Sequence, residues 1–215
     1  MISVWVVDDH AIIRQGIQHI LHKNSDSFRV TQEASNVAEL FELLGKHTPP
    51  ELLILDLSMP GKSGLDALNE LKEHFPKVPV LIMSMHSEDQ YALRTFKAGA
   101  AGYLSKECTP HQLIHALTTI LKGEKYITSR VAELLTSSLT TPPSSKKPHE
   151  ILSDREFQIL VLIAQGYSLT DIAKKFFLSV KTVSTYRSRI LKKMAMQNNA
   201  DLIQYAIVHR LIASN

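Results

Sequence analysis

The sequence of 215 residues predicts two folded parts: an α/β domain with a doubly wound, five-stranded parallel sheet, and a small all-α domain of four helices. Up to residue 121, short apolar runs alternate with helical patterns, which is typical of a parallel sheet wrapped by helices. A segment rich in Ser, Thr, Pro and Lys follows, and beyond it apolar residues recur only at helical spacing. We therefore expect a sheet domain at 1–121, a linker with a short helix at 122–150 and a helical domain at 151–215.

Five short segments in the first part are predicted strands, at residues 3–7, 29–33, 52–57, 80–84 and 102–105. Apolar side chains at three- and four-residue steps predict helices between them. The clearest faces are formed by Ile13, Ile17 and Leu21, by Val37, Phe41 and Leu44, and by Leu65, Leu68 and Leu71. Thr109 as N-cap, followed by Pro110, begins a helix after the last strand. The first part is thus five successive units of strand and helix.

The second part is predicted to be helical throughout. Before it, a short helix at 129–135 precedes a linker at 137–149, which has no apolar periodicity. The predicted N-caps of the four following helices are Ser153, either Ser168 or Thr170, Ser179 and Asn199. Because only a few residues separate the second and third of these helices, they have the spacing of a helix-turn-helix.

Charge separates the two parts more clearly than the net value of +3 indicates. Residues 1–121 have 10 basic and 14 acidic side chains, whereas residues 150–215 have 9 and 5. The basic part is compatible with a nucleic-acid partner. A single cysteine, Cys108, excludes an internal disulfide, and no apolar run approaches the roughly 18 to 20 residues that cross a bilayer. We expect a cytoplasmic protein without membrane contact.

Polar residues at the ends of the predicted strands point to one site. In a doubly wound sheet these ends share one edge, where ligands bind. The residues there are Asp8, Asp9, Asp56, Ser84 and Lys106. Clustered carboxylates repel one another unless a cation lies among them, and hard oxygen donors favour Mg²⁺. A remaining carboxylate can attack a phosphoryl group, and Asp56, which ends the run LLILDL, is the predicted nucleophile. For any one Asp alone, a structural role as a helix cap stays open.

Four motifs in this part, VVDDH, LLILDLSMPGKSGLDAL, VPVLIMSMH and AGAAGYLSKE, resemble those of the receiver domain of two-component response regulators. The resemblance implies a flavodoxin-like fold. It also implies that a partner histidine kinase phosphorylates Asp56, and that Mg²⁺ is held by Asp8, Asp9, Asp56 and the backbone carbonyl of Ser58.

The resemblance further implies that Ser84 and Lys106 contact the phosphoryl oxygens. Tyr103 matches the aromatic residue that changes rotamer on activation, and we expect it to turn inward when Asp56 is phosphorylated. The sequence departs from the family pattern at Glu107, where many receivers have a cis-proline, so the loop of Lys106 is expected to be set differently.

The third helix of the second part is basic and follows a helix and a short turn, the position of a DNA-reading helix. Its cations are Lys181, Arg187, Arg189, Lys192 and Lys193, and no acidic residue accompanies them. The backbone amides of Thr182 and Val183 at its start could hold a phosphate. A solvated basic face is the alternative interpretation of such a helix.

The segment LSDREFQILVLIAQGYSLTDIAKKFFLSVKTVSTY resembles the helix-turn-helix of the LuxR, or NarL and FixJ, class of regulators. The resemblance implies that the third helix reads DNA and the fourth dimerises. Bases would face Ser184, Thr185 and Ser188, and phosphates would meet Lys181, Thr182, Lys192 and Lys193. The full expected DNA-contact set is Lys181, Thr182, Val183, Ser184, Thr185, Arg187, Ser188, Lys192 and Lys193. Because Ser184 and Tyr186 stand where the family often has Lys and His, the operator sequence stays open.

These observations predict a transcription regulator, not an enzyme. Phosphorylation of Asp56 by a sensor histidine kinase would control homodimer formation and binding to promoter DNA. One alternative is a Mg²⁺-dependent aspartyl-phosphate phosphatase of the haloacid dehalogenase kind, but such enzymes have a second Asp where this sequence has Ser58. The others are a regulator that works without phosphorylation and a module whose helical end contacts protein.

Overall fold

The computed structural model describes residues 1–24, 26–86, 88–140, 147–209 and 211–212. The chain forms two compact units, Met1–Ala132 and Glu133–Asn215. The division therefore falls inside the predicted linker, within its helix. No helix in the described part of the chain combines the length and apolar character needed to cross a membrane.

The first unit contains a five-stranded parallel sheet, as predicted. Its strands are β1 (Ile2–Val7), β2 (Phe28–Ala34), β3 (Leu52–Asp56), β4 (Val80–Ser84) and β5 (Gly102–Ser105). They lie in the order β2-β1-β3-β4-β5, which is that of a doubly wound, flavodoxin-like sheet. Register pairs Asp56 with Met83 and Ser84 with Ser105, so the carboxyl ends of β3, β4 and β5 are level.

Helices cover both faces of this sheet. They are α1 (Ala11–Asn24), α2 (Val37–Lys46), α3 (Gly64–His74), α4 (Glu88–Lys97) and α5 (Pro110–Leu121). All residues of β3 and β4 are buried, as expected for central parallel strands. The sequence patterns did not delimit α4, because it buries Tyr91, Ala92 and Thr95 rather than a row of aliphatic side chains.

Beyond α5 the structure differs from the prediction in the linker. The helix predicted at 129–135 is longer, α6 (Ser129–Thr140), and a 3₁₀ turn occupies Pro148–Ile151. Regular structure therefore extends into both ends of the predicted linker at 137–149, and residues 141–146 lie outside the described residues. Thr128 explains the start of α6, since its side chain accepts a hydrogen bond from the amide of Val131, which is buried.

The second unit has the four helices that the sequence predicted. They are α7 (Asp154–Ala164), α8 (Leu169–Phe176), α9 (Val180–Lys193) and α10 (Asn199–Val208). Side-chain N-caps at Ser153, Ser168 and Ser179 begin the first three. The cap of α10 is Asn198 rather than the predicted Asn199, because Asp201 lies three residues after Asn198 and completes a capping box.

Candidate functional site

The carboxyl edge of the sheet brings Asp8, Asp56 and Lys106 into contact. The Lys106 ammonium lies 2.7 Å from Oδ2 of Asp8 and 3.0 Å from Oδ2 of Asp56. None of the three side chains is more than 3% exposed. Glu107, which departs from the family pattern, is exposed, so Lys106 pairs with the two aspartates and not with its neighbour.

Asp56 is held by the close approach of two backbone segments. Its strand is followed by a short loop that returns to α3, where the amide of Gly64 donates to the carbonyl of Leu57 at 3.1 Å. A Cβ atom at Gly64 would lie 1.9 Å from the carbonyl oxygen of Asp56. Only glycine therefore allows this approach, which is the physical reason for that residue in the run PGKSGL.

The surroundings of Asp56 shift the pKa of its carboxyl group. Burial raises the pKa of its carboxyl group, Lys106 opposes this effect, and the nearby Asp8 reinforces it, so that the net shift is upward. For Lys106, burial lowers the pKa of the ammonium, but Asp56 and Asp8 outweigh burial and raise it. The lysine therefore remains charged between the two carboxylates.

The acidic cluster has the donor set of a divalent-cation site. Among the described residues, Asp9 Oδ1 and both carboxylate oxygens of Asp56 are buried without a hydrogen bond of regular geometry. Donor atoms of Asp8, Asp9, His10 and Asp56 all lie within 4.8 Å of one another. Ion pairs with Lys106 and His10 reach Asp56 Oδ2 and Asp9 Oδ1, but Asp56 Oδ1 has no such contact. A buried carboxylate oxygen without a partner is costly, and the hard oxygen donors fit Mg²⁺. Sequence reasoning missed His10, although it directly follows the acidic pair.

Arg14 was also missed, and it fixes the loop that holds the acidic pair. Its Nη1 donates to the carbonyl oxygen of Asp8 at 2.6 Å. Its Nε donates to Glu33 on β2 at 2.9 Å. An Arg on the first turn of the helix after a DD pair is the only sequence signal for this contact.

His86 connects the predicted switch residues. Its backbone amide donates to the hydroxyl of Ser84 at 3.1 Å, and its carbonyl accepts from the hydroxyl of Tyr103 at 2.7 Å. Its Nε2 lies 2.9 Å from Oγ of Ser58. The loops after β3 and β4 are thus joined through one residue.

Tyr103 already lies inside the protein. Its side chain is fully buried, and burial raises the pKa of its phenol well above the usual range, so that the hydroxyl stays a neutral donor. The inward position that we expected to follow phosphorylation is therefore present without it. The rotamer change on activation stays a prediction.

In the second unit, α9 presents a polar, basic face to solvent. The exposed residues at helical spacing on this face are Lys181, Thr185, Ser188, Arg189 and Lys192. The opposite face buries Val183 and Ile190. Arg189 was not among the expected contact residues, although its position four residues after Thr185 is a signal for it.

Two expectations about the start of α9 need correction. The side chain of Val183 is fully buried and cannot contact DNA. The amide of Thr182 donates to the side chain of Ser179 at 3.0 Å, and the amide of Val183 donates to its carbonyl at 3.1 Å. Because the cap satisfies both amides, they are not available to a phosphate. Arg187 is also engaged, since its Nε donates to Asn199 on α10 at 2.6 Å.

Lys193 contacts a buried acid. Its ammonium lies 2.6 Å from Oε2 of Glu156, which also accepts from the amide of Ser153. Burial alone would raise the pKa of Glu156, but the hydrogen bonds from Lys193 and Ser153 outweigh it and lower the pKa. Lys193 therefore has a structural contact besides its predicted role at a phosphate.

We expect Lys193→Ala to lower the free energy of unfolding of the helical unit at pH 7 by about 1–3 kcal/mol, because Glu156 is left buried without its cation. Since folding lowers the pKa of Glu156, its stabilisation is present above its unfolded value near 4.5 and is lost as the pH falls through the folded value. Calorimetry at pH 7 and pH 3 should show a large and a small effect. Lys192→Ala is the control, and a similar loss in both variants would contradict the assignment.

The two units define a class of protein: a receiver-like sheet domain with an acidic edge, joined to a helix-turn-helix with a basic exposed helix. Residues 4–118 match the family model of the response regulator receiver domain, and residues 150–206 match that of bacterial regulatory proteins, luxR family. The chain belongs to the NarL/FixJ family of two-component response regulators, which are phosphorylation-regulated, DNA-binding transcription regulators.

Relatives and solved structures of similar sequence cover nearly the whole chain. The oxygen regulatory protein NreC of Staphylococcus epidermidis is 39% identical, over 98% of this chain and 99% of the relative. The RcsB response regulator of Salmonella typhimurium is 27% identical with a TM-score of 0.72, over 97% of this chain and 98% of that one. RcsB of Salmonella enterica serovar Typhimurium, bound to promoter rprA in the presence of phosphomimetic BeF₃⁻, is 27% identical with a TM-score of 0.66. The match covers 95% of this chain and 98% of that one.

Proposed function

We propose that Asp56 accepts a phosphoryl group from a sensor histidine kinase, in the presence of Mg²⁺ held by Asp8, Asp9, Asp56 and the backbone carbonyl of Ser58. The observation that supports this most directly is the buried Asp56 carboxylate, whose Oδ2 lies 3.0 Å from the Lys106 ammonium and whose Oδ1 has no hydrogen bond among the described residues. When bound, the metal ion supplies positive charge beside the phosphoryl oxygens.

Four residues of this chain have separate roles in the proposed phosphoryl transfer. A carboxylate oxygen of Asp56 attacks the phosphorus atom as the bond to the donor nitrogen breaks. Lys106 exchanges its contact with Asp56 for a phosphoryl oxygen and neutralises the added charge. The hydroxyl of Ser84, at the level end of the neighbouring strand, donates to another phosphoryl oxygen. Because the amide of His86 donates to the hydroxyl of Ser84, a movement of Ser84 also moves the loop before α4.

With a small phosphodonor and Mg²⁺, the wild-type chain should gain one phosphoryl group and Asp56→Asn none, because the amide is not a nucleophile. Intact-mass measurement checks this result. Glu107→Gln is the matched control, since its side chain is exposed and directly follows Lys106 in the chain, and it should be labelled like the wild type. Equal labelling of wild type and Asp56→Asn would exclude Asp56 as the acceptor.

Phosphorylation would control dimerisation and binding to promoter DNA through α9. The support is the exposed stripe of α9, on which Thr185 and Ser188 lie between cations that can reach phosphates. Among the similar structures, RcsB is bound to DNA, which supports a DNA partner for this chain. A homodimer would place two such helices about 34 Å apart, one turn of the double helix. Within the expected contact set, Lys181, Ser184, Thr185, Ser188 and Lys192 remain the best candidates.

Binding to promoter DNA should weaken steeply with salt, because each phosphate that a cation neutralises releases counterions. Lys192→Ala should weaken binding on all sequences alike and reduce the salt slope by about 1. Fluorescence anisotropy over a salt series measures both. Lys77→Ala, an exposed cation in the first unit, is the control. A slope unchanged by Lys192→Ala, or a loss confined to one base position, would contradict the phosphate contact.

A regulator is favoured over the alternative of an aspartyl-phosphate phosphatase. The residue two positions after Asp56 is Ser58, and its hydroxyl is engaged with His86, so no acid is available there to protonate a leaving group. A role on promoter DNA would place the chain in the bacterial cytoplasm. We also propose domain boundaries that give a receiver domain at 1–121, a linker at 122–150 and a helix-turn-helix domain at 151–215.

A further inference from the structure

We propose that the imidazole of His10 is a nitrogen donor to the cation site of Asp8, Asp9 and Asp56, so that the site binds late first-row divalent ions, such as Ni²⁺ and Zn²⁺, more tightly than Mg²⁺. The inference rests on the cation site of the proposed function. It does not depend on whether Asp56 is phosphorylated.

The imidazole of His10 lies beside the acidic cluster. Its Nδ1 lies 2.8 Å from Oδ1 of Asp9 and 3.2 Å from Oδ1 of Asp8. Its donor atom is within 4.8 Å of those of all three carboxylates, including Asp56 on another strand. The imidazole therefore borders the same space that the acids enclose.

The backbone of His10 is fixed, whereas its ring can move. The amide of His10 donates to Oδ1 of Asp8 at 2.9 Å, and its carbonyl accepts from the amides of Ile13 and Arg14 at the start of α1. The side chain is 63% exposed. Rotation of the ring onto an ion requires no repacking of the core.

The carboxylates provide an independent reason for an ion at this place. Asp56 is 1% exposed, and its Oδ1 has no hydrogen-bond partner among the described residues, whereas its Oδ2 is paired with Lys106 and Asp9 Oδ1 with His10. A buried oxygen of this kind lacks a partner that a cation can supply. Asp56 and the imidazole of His10 belong to one cluster of possible ligands.

The chemistry of this donor set decides which ions it favours. Oxygen donors alone suit Mg²⁺, which gains little from imidazole. Imidazole nitrogen suits Ni²⁺, Cu²⁺ and Zn²⁺, whose affinities already exceed those of earlier divalent ions. Asp9 and Asp56 cannot serve two ions at once, so these ions compete with Mg²⁺ for the acids that phosphorylation needs.

The test compares Ni²⁺ and Mg²⁺ binding to the metal-free full chain by titration calorimetry. His10→Gln should lower Ni²⁺ affinity at least about 10-fold and leave Mg²⁺ affinity within about 2-fold. The absorption bands of bound Co²⁺ should change in this variant, because a nitrogen donor is lost. Asp9→Asn should weaken both ions.

The matched control is His115→Gln on α5. His111 and His115 lie four residues apart with their rings 6.4 Å between centroids, the spacing of a surface metal clamp. Loss of Ni²⁺ affinity in His115→Gln but not in His10→Gln would overturn the proposal. So would an equal loss of Mg²⁺ and Ni²⁺ affinity in His10→Gln, which would mean that His10 only shapes the loop. Phosphorylation of Asp56 with Mg²⁺ is measured separately, so its failure is distinguishable.

Discussion

Gly64→Ala is expected to lower the free energy of unfolding of the sheet unit by about 3 kcal/mol or more. The new methyl group would lie 1.9 Å from the carbonyl oxygen of Asp56 and 2.8 Å from Cα of Leu57. Both are backbone atoms at the end of a buried strand, so no side chain can rotate away. Relief of the clash must move α3 or the end of β3, which also displaces Asp56 and reduces phosphorylation.

Urea unfolding followed by the fluorescence of Trp5, the one tryptophan, which is buried in β1, measures this loss. Gly16→Ala is the matched control, because a Cβ at that position of α1 meets nothing within 4 Å. It should stabilise the unit by about 0.5–1 kcal/mol through helix propensity. If the two variants were equally stable, the close approach of α3 to Asp56 would not hold.

Lys106→Met is expected to destabilise the metal-free sheet unit by about 3–5 kcal/mol, because Asp8 and Asp56 stay buried without their shared cation. The loss should shrink when Mg²⁺ is added, since an ion that binds only the folded unit stabilises it and supplies the missing positive charge. Phosphorylation should be slow even with Mg²⁺, because the variant has no ammonium group to contact a phosphoryl oxygen.

The same fluorescence-detected unfolding, with and without Mg²⁺, tests this result. Lys77→Met, an exposed lysine in a loop, removes the same charge without emptying the site and should change stability by less than about 0.5 kcal/mol. A Lys106→Met chain as stable as the wild type without metal would rule out a buried pairing. A loss that Mg²⁺ does not reduce would argue against cation binding by these aspartates.

Local sequence patterns predicted most elements of the fold. Apolar runs marked β3 and β4, because central parallel strands are buried on both faces and need continuous apolar sequence. Capping residues predicted helix starts because a cap acts locally. The side chain of Thr109, for example, accepts a hydrogen bond from an amide only three residues away. Where the pattern was weak the prediction was incomplete, as for α4, whose buried side has a Tyr, an Ala and a Thr.

The sequence also predicted which residues gather at the sheet edge, since parallel strands bring their carboxyl ends together. It could not predict how their side chains pair. His86 joins Ser58, Ser84 and Tyr103 by contacts through both its ring and its backbone, which no spacing announces. Likewise, the sequence predicted that α9 is basic, but it did not predict that Lys193 contacts Glu156 on α7.

By itself, the sequence determined the two-part organisation, the order of strands and helices, and the identity of the acidic edge and the basic helix. These follow from periodicity, capping and charge, which act over a few residues. Only the tertiary structure decided that Lys106 lies between two aspartates, that Lys193 neutralises Glu156 and that His10 borders the cation site. Such pairings depend on distances between elements far apart in the chain, and packing sets those distances.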